Sequence, residues 1–141
     1  MRRGIGFGPI PFVIFRRERY EVSERTNKRK IGENYEKVAG EYLKSQGYEI
    51  IEYNFYTRGG EIDIIAKHKG YFVFVEVKYR KNDKKGNPLE AISMQKQRSI
   101  SKCAAYYLKK HNLYDVPVRF DVVGILGEEI QLIQNAFDFV A

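Results

Sequence analysis

The stretch GGEIDIIAKHKGYFVFVEVKYR, from Gly59 to Arg80, constrains the fold more than any other part of the chain. Two runs of β-branched and aromatic residues flank Lys69 and Gly70, which is a hairpin pattern. Yet Glu61, Asp63, Glu76 and Lys78 lie inside the strands. Side chains alternate across a strand, so Glu61 and Asp63 share a face, as do Glu76 and Lys78. With the turn centred between Lys69 and Gly70, Asp63 faces Glu76 and Glu61 faces Lys78, provided that no odd loop or bulge intervenes. Two opposed carboxylates about 5 Å apart repel by roughly 3 kcal/mol at an effective dielectric of about 20. Lys78, a shared proton, or a divalent cation that turns both carboxylates into ligands would offset this. The other reading is a polar, solvent-facing sheet surface with a Glu61–Lys78 ion pair worth a few tenths of a kcal/mol. Ile65, Phe72 and Phe74 share the acidic face, which makes it only partly solvent-like. The pattern by itself leaves both readings open.

The flanking sequence supplies the rest of one domain. Tyr35, Val38, Ala39, Tyr42 and Leu43 fall on one helical face, and Gly47 terminates that helix. YEIIEYNFYT precedes the hairpin as a further strand. After a polar loop from Arg80 to Asn87, Asn87 and Pro88 form the expected cap and first turn of a second helix reaching about Lys110. Its apolar positions include Leu89, Ile92, Ile100, Cys103, Ala104 and Tyr107. VRFDVVGIL and EIQLI then read as strands joined at Gly127 and Glu128. The order is α-β-β-β-α-β-β, an α/β domain over residues 31–141 with a helix available for each sheet face.

Residues 1–30 read separately, as a basic extension that is flexible or loosely docked. Their apolar run is broken by Gly and Pro and ends in Arg16, Arg17 and Arg19, unlike a secretory signal. No apolar run approaches the roughly 18 to 20 residues of a membrane span. With Cys103 the single cysteine, neither a disulfide framework nor thiolate metal binding is available, and a reducing, cytoplasmic setting is expected. The formal charge of +7 is unevenly spread. Lys78 to Lys110 holds ten Lys/Arg against Asp83 and Glu90, a net +8, so the remainder from Ile31 onward is acidic. Such polarity steers a polyanion toward one face. A solvated basic helix is the alternative.

Asp63, followed thirteen residues on by Glu76-Val77-Lys78, is similar to the core signature of the restriction-endonuclease-like nucleases, an acid and then acid-x-Lys in a hairpin. Gly32 to Glu36, AGEYL, GGEIDIIA, FVEVKYR and RFDVV, in that order, resemble the YraN family. Those are small bacterial proteins predicted to be nucleases akin to the archaeal Holliday-junction resolvases. The resemblance implies a restriction-endonuclease-like fold, a central mixed sheet flanked by helices. It also implies Asp63 and Glu76 as ligands of Mg²⁺ or Mn²⁺ and Lys78 as the catalytic lysine. Glu36 falls where these nucleases often supply another acid, although an exposed helix glutamate reads the same way; Gly40 would let its helix approach closely. Glu61 matches the family's GEID and is expected to pair with Lys78 or to support the ligands. Asp121 ranks low because Arg119 on its own face offers a structural partner. Ile62 stands where many members of the broader group have Pro, a backbone-shaping difference.

The activity expected is metal-dependent endonucleolytic hydrolysis of DNA, and the resemblance implies selectivity for branched or otherwise unusual DNA. Arg80, Lys81, Lys84 and Lys85 after the hairpin, with Lys96, Arg98 and Lys102 on the second helix, are the expected phosphate contacts. A homodimer would suit symmetric cutting of two strands. The competing expectation is a non-catalytic nucleic-acid-binding module that retains the fold.

Overall fold

The computed structural model describes residues 14–19, 31–86 and 92–141. Strand β1 is Ile14–Arg19 and helix α1 Ile31–Ser45; β2 (Glu49–Thr57), β3 (Gly60–His68) and β4 (Tyr71–Arg80) follow, then a 3₁₀ turn at Asp83–Lys85. Helix α2 spans Met94–Lys110, and β5 (Val118–Leu126) and β6 (Glu129–Phe137) complete the chain. From α1 onward the order is α-β-β-β-α-β-β, consistent with the restriction-endonuclease-like α/β architecture that the sequence predicts. The strands form one mixed sheet ordered β1-β6-β5-β4-β3-β2. Among the described strands only β4 and β5 run parallel, because α2 carries the chain back between them. The edge strand β1, antiparallel to β6, is an element for which the sequence gives no periodic signal.

Each helix covers one face. Ala39, Tyr42 and Leu43 of α1 bury completely against Ile64, Val73, Val75, Val123 and Leu132. The helix ends as its sequence dictates: Gly47 adopts φ 91°, and the Tyr48 amide donates to the Leu43 carbonyl at 3.0 Å. A Cβ on Gly40 would collide with the Tyr53 hydroxyl, so the expected close approach is made onto β2. On the other face Ile100, Cys103, Ala104 and Tyr107 of α2 pack on Ile62, Ile65, Phe74, Phe120 and Val122. The second helix starts later than its sequence suggests. Ser93 caps it, its Oγ accepting from the Lys96 amide at 3.1 Å, while Ile92 packs on the core from outside the helix. The expected cap at Asn87 and Pro88, and Leu89, lie outside the described residues. Among the described residues no helix is long and apolar enough to cross a membrane.

The hairpin register matches the arithmetic of the sequence where the strands pair. Lys69 (φ 49°) and Gly70 (φ 85°) make a two-residue turn, and Ile64 faces Val75. Beyond Ile64 and Val75 the ladder stops. Ile62 enters the α2-side core while Ile64, two residues on, enters the α1-side core. Tyr53 and Phe55 switch sides in the same way, around Asn54 at φ 54°. Alternation therefore breaks at Asp63, and this break creates the site.

Candidate metal and phosphate site

Where β3 leaves β4, Val77 loses its ladder partner and its amide instead donates to Asp63 Oδ2 at 2.8 Å. A buried N–H must be satisfied, so the aspartate is pinned between the strands by the backbone it replaces. Glu76 continues the α2-facing row of Phe72 and Phe74, and both carboxyls are only 7 % exposed. Burial pushes Glu76 up to about 8, with the Asp63 charge adding to it and Lys96 and Lys78 pulling back. Asp63 is also raised, by burial first; the Val77 hydrogen bond opposes that and Glu61 reinforces it. Burial and the mutual repulsion of the two carboxyls thus both favour proton uptake by the pair, against the pull of Lys96 and Lys78 on Glu76.

The surroundings come from three further elements. Glu36 on α1 is half-buried and its pKa is raised, chiefly by burial and then by Asp63, against a hydrogen bond from Asn54. The neighbouring Tyr35 stacks on Tyr79 of β4 at 3.8 Å, which fixes that turn of α1 over the site. A Cβ on Gly60 would strike Ser99 of α2, so by alternation Glu61 turns to the α1 face, where its charge reaches Glu36 and Tyr56. The direct Glu61–Lys78 opposition expected from register is not carried by the ladder, because β3 and β4 have already diverged. Lys78 lies beside Glu76 on β4 and is half-buried. Lys96, expected among the outer phosphate contacts, turns inward: its Nζ lies 3.5 Å from Glu76 Oε1.

Two carboxylates of this kind suit a hard cation. Glu76 Oε2 is buried without a hydrogen-bond partner, which leaves that oxygen available to a ligand. Mg²⁺ is typically bound by one or two carboxylates plus waters and substrate oxygens. Among the described residues no three His, Cys, Asp or Glu gather into a group that could hold a metal ion by themselves, so waters and substrate oxygens would have to complete the coordination. Arg80, Lys81 and Lys84, with Tyr79 and Asn82, line an open cavity of about 420 Å³ at the end of β4. Arg98 and Lys102 are exposed along α2. The side chain of Lys85 lies outside the described residues.

Asp121 provides an internal comparison. It too sits at a ladder irregularity, between Phe120 and Val122, and accepts a backbone N–H, from Asn135 at 2.9 Å. But it is fully buried with a bidentate Arg119, at 2.9 and 2.7 Å, and the Tyr48 hydroxyl donates to it at 2.6 Å. Arg119 also meets His68 Nδ1 at 2.9 Å. Asp121 is thus neutralised on all sides, as its low ranking in the sequence anticipates. The Asp63–Glu76 pair has no arginine among its described partners.

Residues 35–125 match the family described as "Uncharacterised protein family UPF0102". A UPF0102 protein of Lachnoclostridium phytofermentans is 55% identical over 113 residues, covering 79% of this chain and 96% of its own. One of Acetivibrio thermocellus is 45% identical over 127 residues, covering 83% and 98%. One of Vibrio campbellii is 45% identical over 114 residues, covering 78% and 93%.

Proposed function

The chain belongs to the UPF0102 family, and we propose that it is a divalent-metal-dependent endonuclease that hydrolyses DNA phosphodiester bonds, with branched DNA as the preferred substrate. The observation that carries this reading is the contrast between two buried acids. Asp121 is matched by Arg119, whereas Asp63 and Glu76 are held together with raised pKa values. A buried acid pair with perturbed pKa values, beside a cationic cavity, is the arrangement expected of a ligand-binding site.

Asp63 and Glu76 would hold the cation, and Glu36 would steady the arrangement from α1. A bound Mg²⁺ or Mn²⁺ supplies Lewis-acid stabilisation of the phosphoryl oxygens and makes a water more acidic. Lys78, two residues after Glu76 on β4, would stabilise the charge that develops on the phosphate or orient the attacking water. The cavity lined by Arg80, Lys81 and Lys84 accepts a flanking phosphate, while Arg98 and Lys102 track the backbone further along. Because these contacts read phosphates and no base edges, sequence preference is weak and salt dependence steep.

The test uses labelled duplex, single-stranded and four-way-junction DNA with Mg²⁺, Mn²⁺ or EDTA. Cleavage that requires metal and disappears in Asp63→Ala supports the enzyme. Binding without cleavage under every metal overturns it in favour of the non-catalytic binding module.

A further inference from the structure

Lys96 is held inward by three features. Ser93 caps the helix through the Lys96 amide itself, at 3.1 Å. One turn on, Ser99 donates from its hydroxyl to the Gly59 carbonyl at 2.7 Å. Gly60 admits that contact, since a Cβ there would strike Ser99 Oγ. The first turns of α2 are therefore clamped onto the β2–β3 corner, and from there Lys96 Nζ reaches Glu76 on β4.

The contact it makes is loose. At 3.5 Å it is longer than the 2.7–2.9 Å or so of a charge-assisted hydrogen bond, and it engages only Oε1. Glu76 Oε2 stays without a partner although the carboxyl is 8 % exposed in its side chain, while the lysine is 36 % exposed. A permanent structural pair would be expected to close, as Arg119 closes on Asp121 at 2.7 Å. Lysine differs from arginine here: its ammonium is a compact point charge on a flexible four-carbon stem, able to leave one acceptor for another without a planar fork to match.

We propose that Lys96 is an internal counter-ion of the acid pair, occupying the mouth of Glu76 until a divalent cation displaces it and frees its ammonium for the substrate phosphate. This rests on the metal-site reading above. Like charges cannot share the mouth of one carboxylate, so cation entry and Lys96 withdrawal are mutually required. Lys96 is thus a positioning residue toward the cation.

The experiment counts free Mn²⁺ by electron paramagnetic resonance at fixed pH and ionic strength, on the full chain without DNA, for wild type, Lys96→Met, Lys96→Arg and Lys109→Met. Circular dichroism confirms that each is folded. Removing one competing charge next to the ligand should tighten Mn²⁺ by roughly tenfold in Lys96→Met, whereas Lys96→Arg, which keeps the charge and can grip both carboxylate oxygens, should bind Mn²⁺ no more tightly than wild type. Lys109→Met, which removes an equal charge from the far end of α2, should change affinity less than about twofold. Equal affinity in wild type and Lys96→Met, or weaker affinity in the variant, overturns the counter-ion role while leaving the metal site standing. An equal gain in Lys109→Met reduces the effect to net charge and also overturns it. No Mn²⁺ binding in any chain overturns both this proposal and the metal-site reading.

Discussion

Replacing Glu76 by Gln isolates the energetic consequence of burying the acid pair. Glu76 is 7 % exposed, and its pKa is held at about 8 against 4.5 in the open chain. A carboxyl raised in this way carries a proton in the folded state that the unfolded chain releases. Its contribution to stability is complete below pH 4.5 and is lost as pH rises through 8. At about 1.4 kcal/mol per tenfold change, the full span is worth on the order of 5 kcal/mol, with the coupled Asp63 sharing in it. Glutamine resembles the protonated acid in shape and never ionises. Urea unfolding in EDTA at pH 5.5, 6.5, 7.5 and 8.5 should show wild type losing stability by roughly 1 kcal/mol per pH unit relative to Glu76→Gln, with the variant several kcal/mol more stable at the top of the range. Adding Mg²⁺ should flatten or reverse the wild-type slope, because cation binding displaces the proton and strengthens as pH rises. Parallel pH profiles for the two chains in EDTA would refute the claim that the pair is held protonated by burial.

The second buried acid should behave oppositely. Asp121→Asn or Arg119→Met leaves one charge of a bidentate pair buried and should cost about 3–5 kcal/mol in urea unfolding; a loss under about 1 kcal/mol would contradict its structural role. His68, held to about 4 by burial and by Arg119, stacks on Tyr48 at 4.0 Å. Its depressed pKa means that stability is complete above pH 6.5 and falls as pH drops toward 4. An imidazole resonance that stays neutral at pH 5.5 in NMR titration would agree, and ordinary titration near 6.5 would not. Gly60→Ala forces a side chain at φ 146° onto Ser99 and should cost at least 1–2 kcal/mol, read as a lower thermal midpoint; an unchanged midpoint would mean that α2 is not clamped there. Lys81→Ala and Lys84→Ala should each reduce the salt slope of DNA binding by about one, uniformly over sequence, and an unchanged slope for both would remove that cavity from the phosphate path.

What the sequence made legible follows from how local each determinant is. The β3–β4 turn is written in Lys69 and Gly70, and the α1 terminus in Gly47, since backbone sign alone fixes both. Register counted from that turn locates Asp63 beside Glu76. It fails two residues further, at Glu61 and Lys78, because the count presumes a continuous ladder and the Asp63 side chain takes the Val77 amide that would have continued it. Helix α2 begins behind Ser93, later than Asn87-Pro88 suggests, because a local cap signal does not say which of two caps the tertiary fold uses; Asn87 and Pro88 themselves lie outside the described residues. Lys96 illustrates the remaining gap. In sequence it is one of ten basic residues between Lys78 and Lys110, indistinguishable from Lys102. Only the Ser99–Gly59 contact, forty residues apart in the chain, turns it toward Glu76. A long-range contact of that kind has no sequence period, so the division of the basic strip into an inward counter-ion and outward phosphate contacts could come only from the fold.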